Sequence, residues 1–543
     1  MDIKVKNRTE HTSKAISFFC SISRYFSYAL SPQRVGVLLF IVTIGYSAYY
    51  LGMALGQPIL ESFGFRQTQT AITAYYFIKD GLRLAYWTPV VGQGWSVPFE
   101  FPIYQAIVAT AVKLTHAPLE AAGRIVSWLF MLLCCLPLYV TLRQIGASVA
   151  TRFLCLALVM GSPEYVFWSS TFMIETTALF FTLFFVFYAT RIYQKQGSFY
   201  DYGAAALFLA LGLLQKSTTA LPVAAVFSLA IALRNFRPAV MRREWRHVTA
   251  AAAVVLFGVA LLFAWTAYSD FIKSQNPIGD WLTSSRLTEW NFGTVEQRLS
   301  SKLWIEVLYD RVFRGSVFGA AGLAAIIVGL MVARDAARRW VIALAALTGL
   351  LQFLVFTNLH IVHSYYQVSA TVFFLIAVGL SVGTMAEELF PDRNILFAML
   401  ATWLVVANFV SFEDLYGPTR RMTISPENNS TLKIAEFIQA NTAEDDTVIW
   451  YGFDWSSEVA FYSQRKSLTV PAWPWTNFEI DAIEHRERFL DRDPAAIVVC
   501  KSPNTEHVLS AVRAKYPAAA VETVSNCPIF LIGAPTSVRD QRQ

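Results

Sequence analysis

Along the chain, apolar stretches long enough to cross a bilayer alternate with short polar connections. Runs of this kind begin near Arg34, Arg124, Arg152, Met173, Tyr202, Thr219, His247, Gly315, Trp340, Ser369 and Asn394. A crossing needs about 20 apolar residues, so the pattern predicts about eleven transmembrane helices. Pro102 to His116 is also apolar, but Pro118 and Glu120 cut it short; at about fifteen residues it reads as a helix on the membrane surface. After about Pro426 the pattern changes. TLKIAEFIQ and EHVLSAVRAKY carry helical periodicity, whereas TVIWYG, AAIVVC and IFLIG are short β-branched runs. The fold class is therefore an α-helical polytopic membrane protein with a C-terminal α/β domain.

The placement of charge orients this pattern. With a cytosolic N-terminus, the inner loops carry Arg143 and Arg152, then Arg191 and Lys195, then the RNFRPAVMRREWR cluster, then Arg334, Arg338 and Arg339, then Arg393, as the positive-inside rule requires. Counting Pro102 to His116 as a crossing would turn all of these outward. The expected organisation is a cytosolic segment 1–33, a transmembrane domain 34–425 with a long first outer loop 57–123, and an extracytoplasmic α/β domain 426–543. Gly161 to Phe172 and Tyr268 to Arg314 read as further outer pieces. Residues 1–33 are polar and basic without a small-residue cleavage site, unlike a cleaved signal peptide.

Composition narrows the function classes. A 55% hydrophobic share with a mean hydropathy of +0.44 over 543 residues excludes a purely soluble enzyme. The net charge of +6 is dispersed over inner loops and does not form a nucleic-acid face. Of six cysteines, Cys20, Cys134, Cys135 and Cys155 lie in or beside apolar segments and read as small hydrophobes. Cys500 and Cys527 are alone in the tail, where an oxidising compartment permits them to pair.

Candidate chemistry lies at the outer membrane edge. The first loop holds Glu61, Arg66 and, in VPFEFPIYQ, Glu100; Glu175 stands alone in TFMIETTALFF; Lys216 ends a short span in QKSTTALP; and HIVHSYYQ brings His360, His363, Tyr365 and Tyr366. Charges near hydrocarbon are expensive and usually functional, although solvated loop acids and a snorkelling lysine are the plain alternatives. A His-x-x-His pair is compatible with a metal, but aromatic-belt residues are common at this depth and are the favoured reading. All these groups map to one leaflet, as a reaction centre requires, and the spans hold few of the deep polar residues of an ion pathway.

One N-terminal span, a long outer loop with an acid near its start and an EFP segment at its end, an acid opening the fourth span, and an outer soluble tail together resemble the GT-C superfamily of membrane glycosyltransferases. The likeness is to the protein O-mannosyltransferase and lipid A aminoarabinose transferase group, over most of residues 34 to 420. The resemblance implies transfer of a sugar from a polyprenyl-phosphate donor to an acceptor hydroxyl or phosphate at the outer face of a bacterial inner membrane, in envelope glycan or lipopolysaccharide modification. Where the family has an acidic pair this chain reads FRQTQTA, placing Arg66 and Gln67 there. The base then falls to Glu61, with Glu100 as the second choice, and Glu175 matches the family's second acid. Arg66 and Lys216 become donor-phosphate ligands, and Gln67, Gln69, His363, Tyr365 and Tyr366 substrate contacts. A direct displacement would invert the anomeric centre. The resemblance fixes no cofactor and leaves a divalent metal open; the partners it implies are the lipid-linked donor, membrane lipid and an envelope acceptor. An O-antigen ligase or polymerase stays as an alternative, although its key loop is expected late in the chain. A polyprenyl-lipid or ion transporter is the other, and would show internal repeats.

Overall fold

The computed structural model describes residues 31–532 apart from 392, 476 and 503. Most of the segment 1–33, with Cys20, lies outside the described residues. Among the described residues, eight helices are long and apolar enough to cross a membrane, and ten when each of two bent pairs is taken as one span. The chain is a multi-pass membrane protein. Pro32–Ala54 is the first span, and the next, Leu119–Gln144, begins only after the long loop. Ile103–Thr115 is a 13-residue helix, too short to cross, as its sequence predicts.

The eleventh apolar run is found inside one helix. Phe199–Arg234 contains 36 residues, with Lys216 at φ −162° and ψ 97° in its middle. In a straight helix positions 212 and 220 would stand about 12 Å apart along the axis. Here a β-carbon placed on Gly212 would lie 3.3 Å from that of Ala220. The chain therefore reverses at Lys216. Both far ends return to the end of the Glu175–Tyr193 helix: Asp201 pairs with Arg191 at 2.6 Å, and Arg234 lies 4.9 Å over the Tyr193 ring. The two runs beginning near Tyr202 and Thr219 are the two arms of this hairpin.

Gly161 to Phe172, expected as an outer piece, is folded inward. Within Gly161 to Phe172, Pro163–Ser169 is a helix bent 60° from Val149–Met160, and Tyr165, Val166, Phe167 and Trp168 are buried. Apolar residues in a short connection at the bilayer edge gain more by folding inward than by facing water.

The tail forms a five-stranded sheet in the order β2-β1-β3-β5-β4. Its strands are β1 (Thr447–Tyr451), β2 (Lys466–Val470), β3 (Ala496–Val499), β4 (Ala520–Val524) and β5 (Cys527–Leu531). β1 runs parallel to both β2 and β3, and β5 is antiparallel to β3 and β4. Successive residues of β1 serve opposite faces: Ile449 and Tyr451 join one core, Val448 and Trp450 the other. A strand covered on both faces reads as a continuous apolar run, which is why TVIWYG is legible. Cys500 and Cys527 form a disulfide across 27 residues.

The sheet is joined directly to the first loop. Ser467 and Thr469 of β2 donate to the carbonyls of Pro89 and Val90 at 3.0 and 2.8 Å, and Gly92 N–H donates to Ser467 at 3.1 Å. The loop thus covers a sheet edge that would otherwise expose unpaired backbone groups. Thr68 and Ser457 share a 2.9 Å hydrogen bond, and the Tyr462 hydroxyl donates to Glu120 at 2.6 Å.

A second tie lies beneath the loop. Arg124 is fully buried and donates to both oxygens of Glu61 at 2.6 and 3.0 Å, and to the carbonyls of Gln57, Pro58 and Ser170. Arg420 adds a 3.2 Å bond to Glu61 and lies 4.2 Å over the Phe167 ring. Burial alone would raise the Glu61 pKa, yet the two guanidinium groups hold it below the ordinary carboxylate value, and burial brings Arg420 down to about 10. Removing one member of a buried ionic cluster costs about 3–5 kcal/mol, so Glu61→Gln is expected to lower the melting temperature of the purified protein at pH 7 by that equivalent. The stability Glu61 contributes is present above its ordinary pKa of 4.5 and lost as pH falls through its depressed folded value. The gap between wild type and variant should close on acidification; equal melting temperatures at pH 7 would show that the cluster contributes nothing.

Candidate functional site

The first-loop helix Gly64–Asp80 opens with Phe63 at φ 46°, ψ 46°, and has no acid in its first turn. A bulky residue in the left-handed region is strained, and here its ring is held against Trp168, His363 and Tyr365. The helix N-terminus carries partial positive charge, and Arg66 in the same turn adds a full one. Arg66 is fixed by Glu100 at 3.0 Å and by Gln69 Oε1 at 2.6 Å. Burial disfavours its charge, but the Glu100 carboxylate together with Tyr365, Tyr366 and Glu175 more than offsets this and raises its pKa.

Glu100 reaches this point because the segment ahead of the Ile103–Thr115 helix is stitched to the Lys216 reversal. Phe101 N–H donates to the Leu214 carbonyl at 2.9 Å, and Tyr104 N–H to Gln215 Oε1 at 3.1 Å. Gln105 Nε2 also donates to Glu100 Oε1, at 3.0 Å. At the tip of the hairpin Lys216 is ion-paired with Glu175, the first residue of its helix. The ammonium lies 4.1 Å from the Tyr366 ring centre and 5.0 Å from that of Tyr365, a cation–π arrangement. His363 stacks on Tyr365 at 5.2 Å. Burial, with the charges of Lys216 and Arg66, brings the His363 pKa down to about 4, so the ring is neutral at physiological pH.

Two buried ion pairs, Arg66–Glu100 and Lys216–Glu175, therefore lie within electrostatic reach of each other. Around them, Glu175 Oε2, Gln105 Oε1, Gln215 Nε2, Thr218 Oγ1 and His363 Nδ1 are buried without a hydrogen-bond partner. Such atoms are rare in folded proteins and need an explanation; a polar ligand supplies one.

Of the residues the sequence singles out, Arg66, Gln69, Glu100, Glu175, Lys216, His363, Tyr365 and Tyr366 come together. Glu61 does not join them: its charged partners are Arg124 and Arg420. Gln67 donates to the Ser62 carbonyl at 2.8 Å and accepts from Phe172 N–H at 2.9 Å, joining two backbone segments. Sequence reasoning misses Gln105 and Gln215, whose polarity is ordinary at a helix end. It also misses the pairing role of Arg124, whose signal was a cation at the start of an apolar run. Among the described residues, no three His, Cys, Asp or Glu side chains form a group that could hold a metal.

Residues 96–265, from just before Glu100 to beyond Lys216, match the family model of dolichyl-phosphate-mannose-protein mannosyltransferases. No curated protein matches the sequence. Among solved structures, ArnT from Cupriavidus metallidurans bound to undecaprenyl phosphate is 12% identical with a TM-score of 0.62, over 90% of this chain and 97% of that one. The Archaeoglobus fulgidus oligosaccharyltransferase in its apo form is 10% identical, TM-score 0.55, covering 88% and 71%. The arabinofuranosyltransferase AftD from Mycobacteria is 13% identical, TM-score 0.52, covering 91% and 41%. At these identities the structures establish a shared fold, and the family match falls on the segment that supplies Glu100, Glu175 and Lys216. The chain thus shares the fold of these membrane proteins, and its residues 96–265 are similar to the dolichyl-phosphate-mannose-protein mannosyltransferase family.

Proposed function

We propose that this enzyme transfers a sugar from a polyprenyl-phosphate donor to an acceptor hydroxyl or phosphate on the extracytoplasmic side of a bacterial inner membrane, with inversion, in envelope modification. The observation that carries the reading is the pair of buried cations, Arg66 and Lys216, among unpartnered polar atoms at the bundle's end. A phosphate leaving group needs such charge where its own charge develops. The undecaprenyl phosphate bound by the structurally similar ArnT supports the donor class. A site at the end of the bundle lets a long lipid chain stay in hydrocarbon while its phosphate meets the protein.

Arg66 presents its planar fork at a helix N-terminus, a favourable place for phosphate oxygens. Lys216 leaves Glu175 to contact the same phosphate. An acceptor hydroxyl then gives its proton to Glu100 as its oxygen attacks the anomeric carbon; the carbon–oxygen bond to phosphate breaks, and the lipid phosphate departs on Arg66 and Lys216. Glu100 later returns the proton to water. One displacement without a covalent intermediate inverts the centre. Glu100 suits the base role because only its Oε1 is occupied, by Arg66 and Gln105. Glu61 has both oxygens committed to guanidinium groups, so its role is structural. Glu175, once released by Lys216, orients the acceptor. Gln69 steadies Arg66, and Tyr365, Tyr366 and His363 form the aromatic wall of the donor site.

A general base contributes about a hundred- to ten-thousand-fold. Glu100→Gln is therefore expected to lose about that much transfer while retaining polyprenyl-phosphate binding, whereas Lys216→Met and Arg66→Met weaken binding itself. Arg66→Lys should rescue only in part, because the bidentate contact is gone. Folded Glu61→Gln should keep its turnover; the opposite ranking of Glu61→Gln and Glu100→Gln would return the base to Glu61.

Orientation is tested separately. Ser510 is exposed on the helix Thr505–Lys515 of the sheet domain, and a cysteine there should react with an impermeant thiol reagent in spheroplasts. Protection until the membrane is opened would place the domain in the cytosol and end the proposed sidedness.

A further inference from the structure

The sheet domain contributes more than a cover for the first loop. Two segments leaving the carboxyl ends of the adjacent parallel strands β1 and β2, where ligands bind in open α/β sheets, carry a row of aromatic rings toward the reaction centre. Trp455, following β1, packs edge-on against Phe65 at 4.8 Å and lies 5.8 Å from Phe99; these two phenylalanines directly precede Arg66 and Glu100. Beside it, Asp454 holds a left-handed conformation at φ 53° and accepts a 2.6 Å hydrogen bond from the indole N–H of Trp473, which follows β2. Trp473 in turn stands 6.3 Å from Trp281, and Arg286 lies 4.7 Å over the Trp281 ring.

Trp473 is 43% exposed, and neither it nor Trp281 takes part in a hydrophobic core of the described residues. An exposed indole and a half-buried one that add nothing to a core, yet are pinned by Asp454 and Arg286, need another reason. The surrounding charges are paired: Asp280 with Arg286 at 3.4 Å, Lys273 with Asp270 at 2.9 Å. The row therefore offers flat apolar faces and hydrogen-bonding edges with little net field. Those are the features that suit an uncharged sugar ring, whose C–H face stacks on an aromatic surface while its hydroxyls meet carboxylate and amide groups at the rim.

We propose that Trp455, Trp473 and Trp281, with Asp454, form a binding track for a neutral oligosaccharide portion of the acceptor, leading from the domain surface to the Arg66–Glu100 pair. This rests on the glycosyltransferase reading above and names the acceptor class for the same site. The track feeds the site with the acceptor's non-reacting sugars and takes no part in the displacement.

The test uses the full-length protein in nanodiscs free of glycoside detergent, without donor, titrated with linear cellotetraose, maltotetraose, mannotetraose and chitotetraose while ligand-detected NMR is recorded. At least one tetrasaccharide should bind saturably. Trp473→Ala and Trp281→Ala should each weaken it tenfold or more at unchanged melting temperature, Trp473→Phe should retain most of the binding, and Trp245→Ala, on the basic inner segment, should leave it unchanged. Absence of saturable binding by all four, equal binding in both alanine variants, or the same tryptophan-dependent binding of an unstructured Ser/Thr-rich peptide in their place would overturn the proposal. No transfer is measured, so this failure would leave the catalytic assignment standing. Intact saccharide binding with full transfer in Glu100→Gln would instead refute the catalytic assignment alone.

Discussion

A charge removed from water near hydrocarbon must find a partner or lose its charge, because desolvation of an isolated ion costs several kcal/mol. This constraint organises the end of the bundle that carries the candidate site. Glu61 lies between Arg124 and Arg420, Arg66 meets Glu100, and Lys216 meets Glu175. Each pair joins elements distant in sequence, so the first outer loop, the fourth span, the hairpin tip and the segment after the last span are mutually located by electrostatics. Helix packing alone leaves such loops free to slide.

The three pairings differ in how they could act. The Glu61 carboxylate is saturated: both its oxygens are taken, by three guanidinium bonds, while Arg124 and Arg420 also donate to backbone carbonyls and leave only their Nε atoms unpartnered. Nothing in it can change partner without leaving a buried charge exposed to hydrocarbon. The other two pairs keep open valences, with Glu175 Oε2 and Gln105 Oε1 unpartnered, so an incoming phosphate could replace each carboxylate as the partner of its cation at little net cost. A carboxylate with both oxygens committed suits a scaffold; one with an open oxygen suits a site.

Much of this was legible in the sequence. Periodicity outlined the spans, the short Pro102 to His116 helix and the tail domain, and isolated charges in apolar surroundings marked Arg66, Glu100, Glu175 and Lys216 of the candidate site. Partner choice was not legible. Glu61 and Glu100 are equally plausible as loop acids, and only the fold shows that Arg124 and Arg420 claim the first while Arg66 claims the second. The inward folding of the Gly161 to Phe172 stretch was not legible for a related reason, since a connection between spans reads the same whether it is solvated or folded inward. Strands β2 and β4 were missed because KSLTV and AVETV carry polar residues, and their pairing depends on β1 and β5.

The central claim is that Arg66 and Lys216 receive one phosphate at the junction of the first loop and the hairpin tip. A cryo-EM structure of the protein with undecaprenyl phosphate in nanodiscs tests it most directly. With the lipid bound, the phosphate should lie within hydrogen-bond distance of both Arg66 and Lys216, with the Lys216–Glu175 pair opened and the Glu61 cluster unchanged. Phosphate bound elsewhere, or bound with Lys216 still on Glu175, would contradict it.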